Sequence, residues 1–385
     1  MQTDHPPIVI DVGSAFTKFG YAGEDAPRDI IPSIVGHYPQ QHLALFSSLG
    51  DQVFVGEEAF ARRGVLKLRY PVRDGIISNW WALEKMLSHI FTALGVRPAD
   101  HPILLSEFPA PSDSDADVKE RNENRERTAQ LLYEVFGVPA VYWAPQPVLV
   151  LHAHSRSTTG VVLDIGHHVA RAVAVHDGCV VNLQKQDFAG EALLDYMAWL
   201  LGEERGVAFS TSADRKFLQG IMEKRCYVAS DFQDEMRKAC ETTGAFEETH
   251  ETPFDEAFVI GSERFRVPEA LFQPSLAKHE GRGIHQMIKR AISAFPSNLQ
   301  ARLYGNIVLS GGPTLYPGLP ERLREELSLL APAGTSVDVF ASDDRQYSTW
   351  LGGSLLARQE SFQEKWVTKM EYEEYGPAVL HRKCP

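Results

Sequence analysis

Ile8-Val9-Ile10-Asp11-Val12-Gly13-Ser14 and Val161-Val162-Leu163-Asp164-Ile165-Gly166 carry one pattern, an apolar run that ends in Asp-x-Gly. Each is followed at hairpin distance by a second strand-like run. The first spans Phe16 to Ala22; the second spans Val169 to Val175 and turns at Asp177-Gly178. The two acids lie 153 positions apart, too far for a solenoid repeat, so the chain reads as a long-range duplication. Each half is a strand, an Asp-x-Gly turn and a strand, with helical segments after it. Two such halves facing one another are expected to form a cleft with one turn on each wall.

A carboxylate at a strand end beside a glycine turn suits a phosphate–metal site. The turn presents N–H groups to an anion, and the acid holds a hydrated divalent cation. Lys18, on the strand after the first turn, is placed to meet a terminal phosphate as a point charge. The alternative is that Asp11 and Asp164 only cap their turns. Further on, Asn306-Ile307-Val308-Leu309-Ser310 delivers Gly311-Gly312-Pro313-Thr314, a strand running into a glycine pair and a proline-punctuated helix start. In Trp350-Leu351-Gly352-Gly353-Ser354 the glycine pair reads as close packing between elements.

With 385 residues the chain exceeds what one core usually serves, and two domains are expected. The 44% apolar and 23% charged fractions are those of an ordinary globular chain. A net charge of −13 argues against an extended nucleic-acid groove, which needs clustered Lys and Arg. Cys179, Cys226, Cys240 and Cys384 are widely spaced, as in reduced thiols. No signal-peptide pattern or membrane-length apolar run is visible, so an intracellular protein is expected.

Helix periodicity predicts helices around Asn79–Leu94 and Glu126–Phe136. Pro109 to Asp117 and Glu241 to Glu256 read as exposed loops, the first leading into a highly charged helix start. His152-Ala153-His154 would share a face if extended, but shows no third metal ligand nearby. His167 and His168 are expected on opposite faces of a strand, which argues against a shared ion.

The chain resembles the actin family along its whole length. The segments that carry the resemblance include IDVGSAFTKFGYAGEDAP at Ile10–Pro27, RRGVLKLRYP at Arg62–Pro71, GIISNW at Gly75–Trp80 and HPILLSE at His101–Glu107. Later ones are ERFRVPEALFQPS at Glu263–Ser275, LSGGPTLYPG at Leu309–Gly318 and HRKC at His381–Cys384. The resemblance implies an α/β, actin-like ATPase fold, with two duplicated lobes and four subdomains around a nucleotide cleft. The first lobe would span 1–150 with an insertion at about 34–75, and the second 151–345 with an insertion at about 191–272; 346–385 would return to the first. It implies ATP or ADP with Mg²⁺ or Ca²⁺. Asp11 and Asp164 match the acids of the metal shell, acting largely through water, and Gln146 the glutamine that positions the hydrolytic water. Gly13, Ser14 and Lys18 match the first phosphate hairpin, where Ala15 also stands; Gly166 matches the second, where His167 and His168 stand. Gly190, Glu223, Gly311, Gly312 and Tyr316 match the nucleoside side.

Several positions depart from the family pattern. Val12 stands for an asparagine and Ala15 for a glycine. His167 replaces an acid, and His168 replaces a glycine whose amide approaches phosphate. A side chain at His168 would crowd the anion and would make any positive φ costly. Met222 and Gln346 replace lysines, Pro313 a threonine and Asp74 a histidine. Removing that many charges and glycines from one pocket predicts a nucleotide site with slow or absent hydrolysis, at most a weak ATPase.

In the family a loop matching His37–Val55 grips the neighbouring subunit, and here it carries Leu43, Leu45, Phe46 and Leu49. The apolar inter-strand plug falls at Ala277-Lys278-His279-Glu280-Gly281-Arg282, whose charges would be costly to bury unpaired. An extra loop at Ser112–Asn122 lies on a face used for lateral contacts. Longitudinal pairing is thus retained as an expectation, while a homotypic double-stranded filament is disfavoured. The leading expectation is an actin-related structural subunit of a cytoskeletal or other multiprotein assembly. Its partners would be other protein subunits, including actin or actin-related proteins, with no direct nucleic-acid or membrane partner. A cytoplasmic, cytoskeletal location is expected, with a nuclear complex or cilium left open. The alternative is a polymerising actin-like ATPase, and a small-molecule kinase ranks third.

Overall fold

The computed structural model describes residues 5–39, 52–109, 115–155, 158–251 and 257–384. Leu43, Leu45, Phe46 and Leu49, and part of each expected polar loop, lie outside them. The chain divides into two compact units. The first is Met1–Thr158, Gly178–Val180 and Tyr347–Pro385; the second is Thr159–Asp177 and Val181–Gln346.

The first unit is built on strands β1 (Ile8–Val12), β2 (Phe16–Tyr21), β3 (Asp29–Pro32), β4 (Ile103–Glu107) and β5 (Ala140–Pro145). Their spatial order is β3-β2-β1-β4-β5, and the short strand Val367–Thr368 lies outside β5. The β1–β2 and β2–β3 pairs are antiparallel, whereas β1–β4 and β4–β5 are parallel. Ile8, Val9 and Ile10 are fully buried, as parallel central strands covered on both faces require.

The second unit repeats this plan with β6 (Gly160–Ile165), β7 (Ala170–His176), β8 (Cys179–Gln186), β9 (Ile307–Ser310) and β10 (Val339–Phe340), ordered β8-β7-β6-β9-β10. Again the first hairpin is antiparallel, and the two strands that complete the sheet are parallel. The duplication seen in two short sequence runs therefore extends over both sheets.

In the first unit, helix α1 (Trp80–Leu94) starts at Asn79, whose side chain accepts from the Ala82 N–H at 2.9 Å, and stops at Gly95 in the left-handed region. Helix α2 (Asp115–Gln130) begins well before the expected Glu126 and runs into a π-helical turn, Leu131–Val135. Residues 115–122 of the expected Ser112–Asn122 loop are therefore helical. Their apolar stripe is missing because the helix docks through a cation. Arg125, 2% exposed, pairs bidentately with Glu107 and donates to the Cys384 carbonyl at 3.0 Å. Helix α3 (Gln146–Ser155) packs on the helix Ser348–Ala357 at Gly352. A Cβ there would lie 1.9 Å from the Leu149 carbonyl oxygen, so the second glycine pair serves packing. His152 and His154 lie on α3, two residues apart on a helix, and do not share a face.

Part of the expected Glu241–Glu256 loop is regular structure. Its Glu248–Glu251 segment is a strand, paired antiparallel with Ala257–Ile260. The alternation of polar residues hid it, since His250 packs against Phe258 in place of an apolar residue. Among the described residues no helix is long and apolar enough to cross a membrane.

Candidate functional site

Asp11 lies near the end of β1 and is 3% exposed. Antiparallel register places Lys18 directly opposite it, and the Lys18 ammonium lies 3.0 Å from Asp11 Oδ2. On the other side, parallel β4 pairs Ile103, Leu104 and Leu105 with Ile8, Val9 and Ile10, which brings the next residue, Ser106, beside the acid. Ser106 Oγ donates to Asp11 Oδ1 at 2.5 Å. Gln146 opens α3 directly after β5, and its Nε2 donates to Asp11 Oδ1 at 3.2 Å and to Ser106 Oγ at 3.1 Å. The strand ends thus gather one carboxylate, one ammonium, one hydroxyl and one amide. The carboxylate and hydroxyl oxygens are hard donors of the kind that suits Mg²⁺ or Ca²⁺ and its water. Ser106 was not assigned a role from sequence. Its signal was the HPILLSE string, but only the parallel pairing shows why a hydroxyl belongs there.

The second unit reproduces the arrangement around Asp164. Arg171 stands opposite it on antiparallel β7, and Ser310, 3% exposed, stands beside it on parallel β9. Each acid thus has a basic residue on one flank and a serine on the other. Both turns close identically: the Gly13 N–H donates to Phe16 O, and the Gly166 N–H to Val169 O, each at 3.0 Å. Those two amides are spent on the hairpins, so an anion at either turn would draw on the amides that follow.

The turns differ in what comes next. The first has Ser14 and Ala15; the second has His167 and His168. The two histidines lie in the bend between β6 and β7, not on a strand, so the expected opposite orientation does not hold. Their ring centroids are 4.6 Å apart. His168 Nε2 lies 3.4 Å from Glu191 Oε2. Helix α4 (Gly190–Arg205) starts against this bend, with the Gly190 N–H donating to Gly166 O at 3.1 Å and the Glu191 N–H to His167 O at 2.7 Å. Burial, and then the neighbouring His168, push the His167 imidazole pKa down, which keeps it neutral near pH 7. The expected backbone cost at His168 is absent, because positive φ among described non-glycine residues is confined to Asp74, Asp177 and Lys278.

At the first glycine pair, which the resemblance assigns to the nucleoside, Gly311 adopts φ 92° and ψ 153° and lies against the Ile165 carbonyl. Gly312 opens one 3₁₀ turn, Gly312–Leu315, and Pro313 abuts Gly190. The true α-helix begins later, at Leu319. Glu223, near the end of helix α5 (Ser212–Arg225), accepts from Gln219 at 2.8 Å. Tyr316 is buried; burial and the charge of Glu223 push its hydroxyl pKa well above 10.0. Sequence reasoning missed Arg345. This buried guanidinium donates to the Thr314 carbonyl at 2.9 Å and to the Thr314 hydroxyl at 3.2 Å, and the Gly311 N–H donates back to the Arg345 carbonyl at 3.2 Å. It fastens the glycine turn from behind; a lone arginine in a polar segment gives no sequence signal of this.

The structure therefore gathers Asp11, Lys18 and Gln146 in the first unit. In the second it places Gly166, His167, His168 and Gly190 together, with Gly311 against the strand that carries Asp164. Compared with known protein families, residues 2–385 match the family described as Actin.

Proposed function

The chain belongs to the actin family, matched over residues 2–385, and from that premise we propose that it is an actin-related structural subunit that binds adenine nucleotide and hydrolyses it slowly or not at all. The observation that carries this reading is the contrast between the hairpins. Around Asp11 the ammonium, hydroxyl and amide are all engaged on the carboxylate. At the second turn, two imidazoles and Glu191 occupy the place where a phosphate-binding amide turn would need open backbone.

Asp11 would hold a hydrated Mg²⁺ through water, and Asp164 has the equivalent place in the second unit. Lys18 would balance phosphate charge, and Gln146 would orient water. The bound cation would neutralise negative charge on the phosphates. Catalysis of phosphoryl transfer depends on donors already aimed at developing charge. At the second turn a carboxylate and two imidazole side chains stand where such backbone donors would be needed, so binding outlasts turnover. A nucleotide that binds only the folded chain stabilises it by mass action, which is sufficient reason for such a site without catalysis.

The 278–282 segment supports a role in a mixed assembly and disfavours a homotypic double-stranded filament. Lys278 Nζ stacks 4.4 Å from the Trp199 ring, the His279 ring lies 4.9 Å from Phe188, and Glu280 and Arg282 are exposed. This is a charged segment anchored on its own unit. Partners are then other protein subunits, actin-related ones among them, in a cytoplasmic, cytoskeletal setting. The intact Asp11–Lys18–Gln146 cluster favours the second reading, a polymerising ATPase.

Purified protein is expected to bind a fluorescent ATP analogue only with Mg²⁺, to release phosphate far more slowly than a filament-forming actin, and to stay in the supernatant under polymerising salt. Vigorous turnover stimulated by self-assembly would select the second reading. Indifference to nucleotide would remove both.

A further inference from the structure

We propose that His167, His168 and Glu191 form a binding site for one divalent transition-metal ion of the Zn²⁺ type, distinct in chemistry from a Mg²⁺–nucleotide site. The inference goes beyond the nucleotide reading and stands whether or not ATP binds.

Each of the three residues offers one ligand atom, and these atoms all lie within 4.8 Å of one another; among the described residues this is the group of three so placed. A tetrahedral ion with ligands at about 2.0–2.1 Å separates them by roughly 3.3 Å. The His168 Nε2–Glu191 Oε2 distance of 3.4 Å already equals that edge. The wider span closes by side-chain rotation, because the backbone beneath is fixed. Gly190 and Glu191 donate to the carbonyls of Gly166 and His167, which ties the helix start to the bend. The bend itself is closed by the Gly166–Val169 hydrogen bond. Two imidazoles and one carboxylate leave a fourth position for water, as in open zinc sites.

The donor set also states which ions it prefers. Imidazole suits Zn²⁺, Cu²⁺ or Ni²⁺, whereas Mg²⁺ and Ca²⁺ demand oxygen. Arg215, a cation whose field reaches His167, is paired with Asp195 at 2.5 Å. The first turn, with Ser14 and Ala15 at the corresponding positions, cannot form an equivalent site. The duplication has thus diverged toward nitrogen ligands on one side only.

The test uses the full chain, stripped of nucleotide and metal by a chelator and titrated with Co²⁺ alone. One equivalent is expected to give the visible absorption of a tetrahedral ion, displaced by Zn²⁺ and not by excess Mg²⁺. Zn²⁺ is also expected to raise the melting temperature. His168→Asn and Glu191→Gln, at half-buried and exposed positions, are each expected to weaken Co²⁺ binding by about tenfold or more while melting as the parent does without metal. A His152→Ala/His154→Ala double variant is expected to bind as the parent. No bound Co²⁺ in the parent, or equal affinity in His168→Asn and Glu191→Gln, overturns the proposal.

Discussion

Replacing Gly311 by alanine should damage the second unit severely, while the same change at its neighbour Gly312 should pass almost unnoticed. At φ 92° and ψ 153°, Gly311 occupies backbone space that a side chain makes costly, by about 1–3 kcal/mol. A Cβ there would also stand 2.1 Å from the Ile165 oxygen and 2.8 Å from its carbonyl carbon. Strand β6 cannot step aside, because it is paired with β7 on one edge and with β9 on the other. Relieving such an overlap adds about 1–3 kcal/mol, so the total is about 2–6 kcal/mol. For a unit of this size that lowers the melting temperature by about 4–24 °C, at about 2–4 °C per kcal/mol. At Gly312 nothing lies within 4 Å of the added Cβ, and φ is not positive. Gly312→Ala should therefore change stability by no more than about 0.5 kcal/mol. Differential scanning calorimetry of both variants reads the contrast. If Gly311→Ala melts with the parent, or Gly312→Ala falls as far, the account of this turn is wrong.

Two further outcomes follow from buried polar chemistry. Arg125→Ala leaves Glu107 and the Cys384 carbonyl without their cation and should cost about 3–5 kcal/mol; the urea midpoint measures it, and a Glu107→Leu/Arg125→Met double variant should recover most of the loss. Cys179 and Cys240, both exposed, should react with Ellman's reagent at pH 8 in the native protein, and buried Cys226 and Cys384 only after unfolding. Burial raises the folded pKa values of those two thiols from 9.0 to about 12 and about 11. Because the unfolded thiols ionise first, their contribution is intact below pH 9 and falls as pH rises from about 9 toward 11–12. A midpoint that stays flat with alkalinity would refute the burial assignment.

The parts of the fold legible in the sequence were those where one residue type has one physical use. Asp-x-Gly after a buried apolar run marked both hairpins and put Lys18 on the strand after the first turn; the register that sets it opposite Asp11 is a finding of the structure. Helix periodicity placed α1 around Asn79–Leu94, and the structure bounds it with the Asn79 cap and left-handed Gly95. Helix α2 was misplaced because its docking group is Arg125, and a helix held by one buried ion pair has no apolar stripe to read. Ser106, Ser310 and Arg345 were invisible for a related reason. Their positions are set by parallel strands and by a loop that are distant in sequence, and no local pattern encodes such pairings.

His167 and His168 show the same limit most sharply. Extending the strand by two residues puts the rings on opposite faces; ending it at Ile165, as the chain does, turns both into a bend against the start of α4. The deciding contact is the hydrogen bond from Glu191 to the His167 carbonyl, made by a residue 24 positions away whose own side chain then meets His168. A departure from the family pattern that reads in sequence as simple loss of a glycine is, in three dimensions, the assembly of a new donor set.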